Sequence, residues 1–250
     1  MKNYVISLAS RPDRLAQFNV INAPFLDQIT VFPATDKNDV SKQACIDAGI
    51  VLNDADYDDT ALAVAMSHLR LWQLCRDIGE PIMVMEDDVH LSPGFWKDRE
   101  QALTTNPDYD FLALGFNTDW PLEVAFVPGS MKATIIFDEE QPKFLKGRAF
   151  CYPQLSAFAG CCCYVITPAC AKFFMENIFP IKDGYYALRY FTSPVCREFT
   201  RIRWTNVGID VAISMVLQDV RSYVCLPPIA IPGNDWSSSS FERGGHLISL

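Results

Sequence analysis

The segment Pro81-Ile82-Met83-Val84-Met85-Glu86-Asp87-Asp88 decides the fold. Five uncharged residues run directly into three carboxylates. A short apolar run preceded by a glycine and closed by acids reads as a central strand buried on both faces, the kind that helices cover in an α/β sheet. Three adjacent acids at its end are costly, because desolvation and mutual repulsion both oppose their ionisation. A compensating positive charge is therefore expected beside them. In extended backbone Glu86 and Asp88 point to one side, about 6–7 Å apart, and Asp87 points to the other. Glu86 and Asp88 thus form a candidate oxygen site for one hard cation, Mg2+ or Mn2+, with positions left open for substrate phosphates. The plainer reading of the same triplet is a solvated strand end.

Upstream, the pattern over residues 60–78 predicts a helix that is apolar around much of its girth and hence largely buried, with Gly79 as its stop. Residues 4–9 read as the first strand. Ser10 is the expected N-cap of a following helix, with Pro12 in the first turn and Asp13 three residues on. A strand–turn–helix opening is how a nucleotide-binding α/β domain begins. Residues 29–34 read as a second strand and residues 38–48 as a polar helix. Downstream, Ser92-Pro93 is expected to start a helix, and residues 109–115 form the next strand. From 116 to 157 the periodicity breaks down, with one strand at 133–137, and so long an irregular stretch reads as functional or disordered. Strands at 160–166 and 222–226, helices at 168–177 and 207–217, and a Ser- and Gly-rich loop at 233–245 complete the chain. With no repeat and no linker-like break, the 250 residues are expected to form a single α/β domain.

Half the residues are hydrophobic and 20% are charged, which excludes a disordered chain and a charged coiled coil. The formal net charge of −9 argues against a nucleic-acid partner, which needs a basic footprint. Nine cysteines without a CxxC pair make zinc ligation weak. Cys161-Cys162-Cys163 fits a buried strand in a reducing compartment. No apolar run approaches the ~18 residues of a membrane span, and residues 1–14 lack the apolar length of a signal peptide. A cytoplasmic location is the expectation.

Arg11 and Arg14 follow the first strand at a helix N-terminus, where an anion binds; two surface arginines are the alternative. Asp36, after the second strand, is a candidate acceptor for a ribose or base, or an ordinary turn residue. His68 in the buried helix reads as a core histidine or a ligand contact. His246, beyond the Ser/Gly loop, is a candidate third metal ligand or a tail histidine. Asp210, at the start of an apolar helix, is a candidate general base, although helix dipoles favour an acid there anyway. Trp120, Trp204 and Trp236 are candidate sugar-stacking residues or packed ones.

With these residues in place, the chain resembles glycosyltransferase family 25, which includes lipopolysaccharide-biosynthesis and collagen galactosyltransferases. The resemblance is carried by Val5-Ile6-Ser7-Leu8 with Arg11 and Arg14, Ala34-Thr35-Asp36, Ser67-His68-Leu69-Arg70-Leu71-Trp72, Met83-Val84-Met85-Glu86-Asp87-Asp88-Val89 and Asp110-Phe111-Leu112-Ala113-Leu114-Gly115. Tyr164-Val165-Ile166, Gly208-Ile209-Asp210 and Pro227-Pro228-Ile229-Ala230 match in outline. The resemblance implies a GT-A-like, Rossmann-like mixed sheet flanked by helices, a nucleotide-sugar donor, a divalent ion, and inverting transfer, often of galactose from UDP-galactose. Residues 1–115 would hold the donor, and residues 116–250 would bind the acceptor and close the site. Glu86 and Asp88 would stand in the family's DXD-like place. Arg11, Arg14, Asp36 and His68 would line the nucleotide sugar, and Asp210 matches a family acid. The acceptor would be a glycan or glycolipid, and through it the enzyme would sit at a membrane periphery. A retaining GT-A transferase, a non-catalytic nucleotide-sugar-binding protein and a metal phosphohydrolase remain alternatives on the same acidic strand end.

Overall fold

The computed structural model describes residues 1–127, 129–137, 144, 149–193 and 198–233. Strand β1 (Lys2–Ser7) leads into α1 (Pro12–Ile21), then β2 (Thr30–Pro33), α2 (Lys42–Asp47), α3 (Asp59–Ile78), β3 (Ile82–Glu86) and β4 (Val89–Leu91). Next come α4 (Phe95–Thr105), β5 (Phe111–Gly115), β6 (Leu122–Val127), β7 (Met131–Ile135), β8 (Gln154–Ala157), β9 (Cys163–Ile166) and α5 (Pro168–Asn177). The hairpin β10 (Tyr185–Ser193) and β11 (Glu198–Thr205), helix α6 (Ile209–Ser214), β12 (Ser222–Val224) and β13 (Ala230–Pro232) follow.

The main sheet runs β2-β1-β3-β9-β5-β12-β8-β6-β7. At one end β1 pairs in parallel with both β2 and β3. β9 lies antiparallel between β3 and β5, and β12 is parallel to β5. From there to the far edge, β8, β6 and β7 are antiparallel. The fold is thus α/β with a mixed sheet, and β9 ties the second half of the chain into the sheet of the first.

Strand residues alternate between two helical layers, as a period of two requires. Val5, Met83, Met85, Leu112, Leu114 and Val165 pack with Phe18 of α1 and Phe95 and Ala102 of α4. Tyr4, Ile82, Val84, Phe111, Ala113, Tyr164 and Ile166 pack with Leu62, Leu71 and Trp72 of α3 and Phe174 of α5. α3 forms because both ends are specified. The Asp58 carboxylate accepts the Ala61 amide at 2.7 Å, and Gly79 terminates the helix at φ 70°, a left-handed conformation that glycine adopts without penalty.

Several boundaries differ from the sequence reading. Arg11, not Ser10, is the N-cap of α1 and makes no side-chain cap, because the Ser10 hydroxyl donates instead to Asp36 Oδ2 at 2.6 Å. The polar helix expected at 38–48 is split into a 3-10 turn (Lys37–Asp39) and α2, because Val40 and Ser41 are extended and Ser41 caps the second piece. α4 starts at Phe95 behind Gly94, while Ser92 joins the sheet margin through its amide to the Ile229 carbonyl at 2.9 Å. The stretch read as irregular supplies β6, β7 and β8. The apolar run of β6 is interrupted by Glu123, a buried strand residue whose charge is answered by Lys132 at 2.7 Å. The eight described cysteines are free thiols, all buried except Cys151. No helix among the described residues is long and apolar enough to cross a membrane.

Candidate active site

In an open α/β sheet a ligand crevice lies outside the carboxyl ends of parallel strands, where strand order reverses. Here that point is β1, flanked by β2 on one side and β3 on the other. The chain ends meeting there are Ser7, Ala34 and Glu86 to Asp88. The Ala34 amide donates to the Ser7 carbonyl at 2.9 Å, and the Ser7 hydroxyl donates to Asp87 Oδ2 at 2.9 Å.

On the α1 side, Arg14 supplies the positive charge that the acidic strand end demands. Its guanidinium lies 2.6 Å from Asp87 Oδ1 and 3.4 Å from Asp88 Oδ2. Asp87 is buried, and burial pushes its carboxyl above the usual range even though Arg14 and Ser7 pull it down. Asp88 is pushed up to about 7, first by desolvation and then by repulsion from Glu86. Its Oδ1 is buried without a hydrogen-bond partner. Beyond Glu86 the chain turns, so strict alternation ends and Asp88 reaches Arg14 alongside Asp87. A groove lined by Arg14, Gln17, Phe18, Asp88, His90 and Gly233 opens beside this cluster. The Gly233 amide donates to the Asp88 carbonyl at 2.8 Å.

On the α3 side, Glu86 continues the row Ile82, Val84 and faces His68, whose Nε2 is 3.8 Å from Glu86 Oε1. The Glu86 amide donates to the Cys162 carbonyl at 3.0 Å. That approach needs Gly115 at the end of β5, where a Cβ would stand 2.8 Å from Cys162 Sγ and 2.5 Å from the Ala230 carbonyl. Asp210, in the first turn of α6, accepts the Gly160 amide at 2.8 Å and the Val211 amide at 2.9 Å. Burial raises its carboxyl and Glu86 raises it further, against the pull of those amides.

The structure brings Arg14, Asp87 and Asp88 together on the α1 side, while Glu86 faces His68 on the α3 side and its charge bears on Asp88 and Asp210. Arg11 sits nearer solvent and pairs with Asp13 at 2.9 Å. Asp36 is occupied by Ser10 and by the Asn38 amide at 3.0 Å, which hold its carboxyl below the ordinary value. His68 is fully buried, so its route to a bound ligand runs through Glu86. Trp204 is buried and packs edge to face on Trp120, 5.9 Å between ring centres. His246, Trp236 and the loop 234–245 lie outside the described residues. Ser7, Tyr164 and Trp72 were not singled out individually from the sequence. The available signals were the i, i+4 spacing of His68 and Trp72 and the place of Ser7 at a strand end.

Among the described residues no three His, Cys, Asp or Glu side chains converge as a complete metal cage. Glu86 and Asp88 nevertheless carry oxygen donors, and Asp88 Oδ1 is buried with no hydrogen-bond partner. Mg2+ and Mn2+ keep several positions for water and phosphate, so an unpartnered carboxylate oxygen at a strand end suits such an ion.

A family model described as "Glycosyltransferase family 25 (LPS biosynthesis protein)" matches residues 1–189. No curated protein sequence matches the chain. Among solved structures, A197 from STIV is 12% identical, with 90% of this chain and 81% of that chain covered and a TM-score of 0.36. A putative glucose-1-phosphate thymidylyltransferase from Bacillus anthracis, solved with a sucrose, is 14% identical, with 90% and 85% covered and a TM-score of 0.38.

Proposed function

The chain belongs to glycosyltransferase family 25, and from that premise we propose that it moves a hexose, galactose from UDP-galactose, with inversion onto a glycan or lipopolysaccharide-type acceptor, assisted by Mn2+ or Mg2+. The observation that carries this reading is the buried Asp88 Oδ1 left without a hydrogen-bond partner, on a carboxylate whose other oxygen lies 3.4 Å from Arg14, at the strand-order reversal where a nucleotide would lie. Residues 1–115 hold the donor and residues 116–250 the acceptor.

Glu86 and Asp88, with His246 as a further ligand, would hold the ion, which would offset the charge of the departing diphosphate. Arg14, fixed by Asp87, presents a second positive charge at the start of α1, the end of a helix that favours anions. The acceptor oxygen attacks the anomeric carbon as the bond from that carbon to the phosphate oxygen breaks. The bonding pair leaves with the nucleoside diphosphate, and the acceptor proton passes to Asp210. A carboxylate raised toward neutrality suits that task. Glu86 keeps Asp210 basic by repulsion.

A thermal-shift screen with UDP, GDP and CMP sugars, with and without Mn2+, tests the reading. A UDP sugar with Mn2+ is expected to raise Tm, since a ligand at a hundred times its Kd stabilises by about 2.7 kcal/mol. Stabilisation without sugar transfer would favour a binding protein. Phosphate release without an acceptor would favour a hydrolase, and a product with retained anomeric configuration would exclude inversion.

A further inference from the structure

The proposed chemistry leaves one fully buried polar group unused. His68 has no solvent exposure, and its Nε2 lacks a hydrogen-bond partner while facing Glu86 Oε1 at 3.8 Å. A buried polar atom left without a partner is costly, so its retention calls for a reason. The other ring nitrogen, Nδ1, is 2.8 Å from Tyr164 Oη. That same oxygen accepts the indole N–H of Trp72 at 3.0 Å. Trp72 and Tyr164 are themselves fully buried.

Counting protons gives this chain a direction. An indole N–H can only donate, and a phenol has one proton to give. Burial pushes the Tyr164 phenol far above its ordinary range, so the proton stays on it. Of its two polar neighbours, only His68 Nδ1 can accept that proton. A neutral imidazole that accepts at Nδ1 carries its own proton on Nε2, the nitrogen turned toward Glu86. The opposite tautomer would leave the Tyr164 hydroxyl proton buried without an acceptor.

The scaffold behind the chain is rigid. His68 and Trp72 are one turn apart on α3, which is capped at both ends. Tyr164 sits opposite Val84 in the β3–β9 register, two residues before Glu86 on the same face. Glu86 is the solvent-facing member, with its side chain 33% exposed. A small rotation would bring its carboxylate from 3.8 Å to the ~2.8 Å of a charge-assisted hydrogen bond.

We propose that His68 is a positioning residue: locked as the Nε2–H tautomer by Tyr164 and Trp72, it donates to Glu86 and sets the direction in which that carboxylate meets the ion and the diphosphate. The role of Glu86 rests on the transferase reading; the tautomer does not. Hydrogen-bond partners that orient a metal ligand are typically worth 10–100-fold in metal affinity or activity.

The test begins with long-range 15N–1H correlation spectra of histidine-labelled, metal-free protein. His90→Gln and His246→Gln identify the His68 signals by elimination, so no variant in the core is needed. The Nε2–H pattern is expected for His68, and an Nδ1–H pattern overturns the proposal whatever the activity. Tyr164→Phe removes the proton donor and is expected to shift His68 away from the pure Nε2–H form; an unchanged signal is a second way to overturn it. Mn2+ binding in the presence of UDP, read by electron paramagnetic resonance, supplies the functional arm. His68→Gln keeps a donor near Nε2 and is expected to stay within about threefold of wild type, whereas His68→Leu weakens binding about 10–100-fold. Equal loss in both variants would mean a packing role and would sink the proposal. If wild-type protein binds no Mn2+ with UDP, the metal-assisted transferase reading fails, and the tautomer alone decides the His68 contact.

Discussion

The two ends of the sheet solve different problems. At the β2-β1-β3 end, parallel strands with helices on both faces place every chain terminus on one side, and charge collects where apolar strands stop. Arg14, Asp87 and Asp88 are close there because topology leaves them nowhere else to go. At the β8-β6-β7 end, antiparallel strands carry their charge inside the strand. Glu123 is 3% exposed and receives hydrogen bonds from Lys132 and the Tyr186 hydroxyl, while Phe126 on the same strand is 61% exposed. The first arrangement concentrates electrostatic strain at an open crevice, and the second neutralises it within the sheet. Strain held at a crevice can be relieved by a ligand, which is why the parallel end is the candidate site.

That contrast breaks most sharply at Asp88. Asp88→Ala is expected to reduce transfer at least about a hundredfold, the scale of a lost transition-state charge contact, with the fold retained. Retained metal-dependent turnover would place the reaction elsewhere. Asp210→Asn is expected to lower kcat about 10²–10⁴-fold, the range of general-base catalysis; a loss below about tenfold would remove Asp210 from that role.

Stability gives the next test. Arg14→Leu strands the buried Asp87 carboxylate and is expected to cost about 3 kcal/mol in urea unfolding. Adding Asp87→Asn should recover part of that loss. No recovery would mean that the Arg14–Asp87 contact is not what Arg14 contributes. A gentler probe is pH. Because Asp88 is raised from an ordinary value near 3.8 to about 7, the folded, metal-free protein holds a proton there that the unfolded chain releases. The associated stability is present below about pH 4 and is lost as pH rises toward 7. Asp88→Asn should flatten that decline, and parallel wild-type and variant curves would contradict it. The smallest effect belongs to the other end. Phe126→Ser should change stability by less than about 0.5 kcal/mol, as exposed substitutions do, and leave kcat alone.

The same contrast governs how much could be read in advance. β3 was legible because a strand buried on both faces is a plain apolar run, and α3 because Asp58 and Gly79 mark its ends. Arg14 and the acid triplet were legible because strand ends and helix starts are local features. β6 was not, because Glu123 interrupts an otherwise apolar buried run and is answered by Lys132 from the neighbouring strand. The β10–β11 hairpin likewise carried no signal that was recognised. Asp36 and Ser10 were read as separate local features, whereas they bond to each other across two loops. The Trp72–Tyr164–His68–Glu86 chain was hidden for a different reason. It depends on β9 pairing with β3, a contact between residues nearly eighty positions apart that no local pattern encodes.

That inserted strand has a consequence for synthesis. β3 acquires its second neighbour only when residues 163–166 have been made. At ~5–20 residues per second the ribosome needs about four to fifteen seconds to get from one to the other. Throughout that interval the edge of β3 offers unpaired amides and carbonyls to any passing chain. A fragment ending near residue 115 would keep that edge permanently and should collect in inclusion bodies.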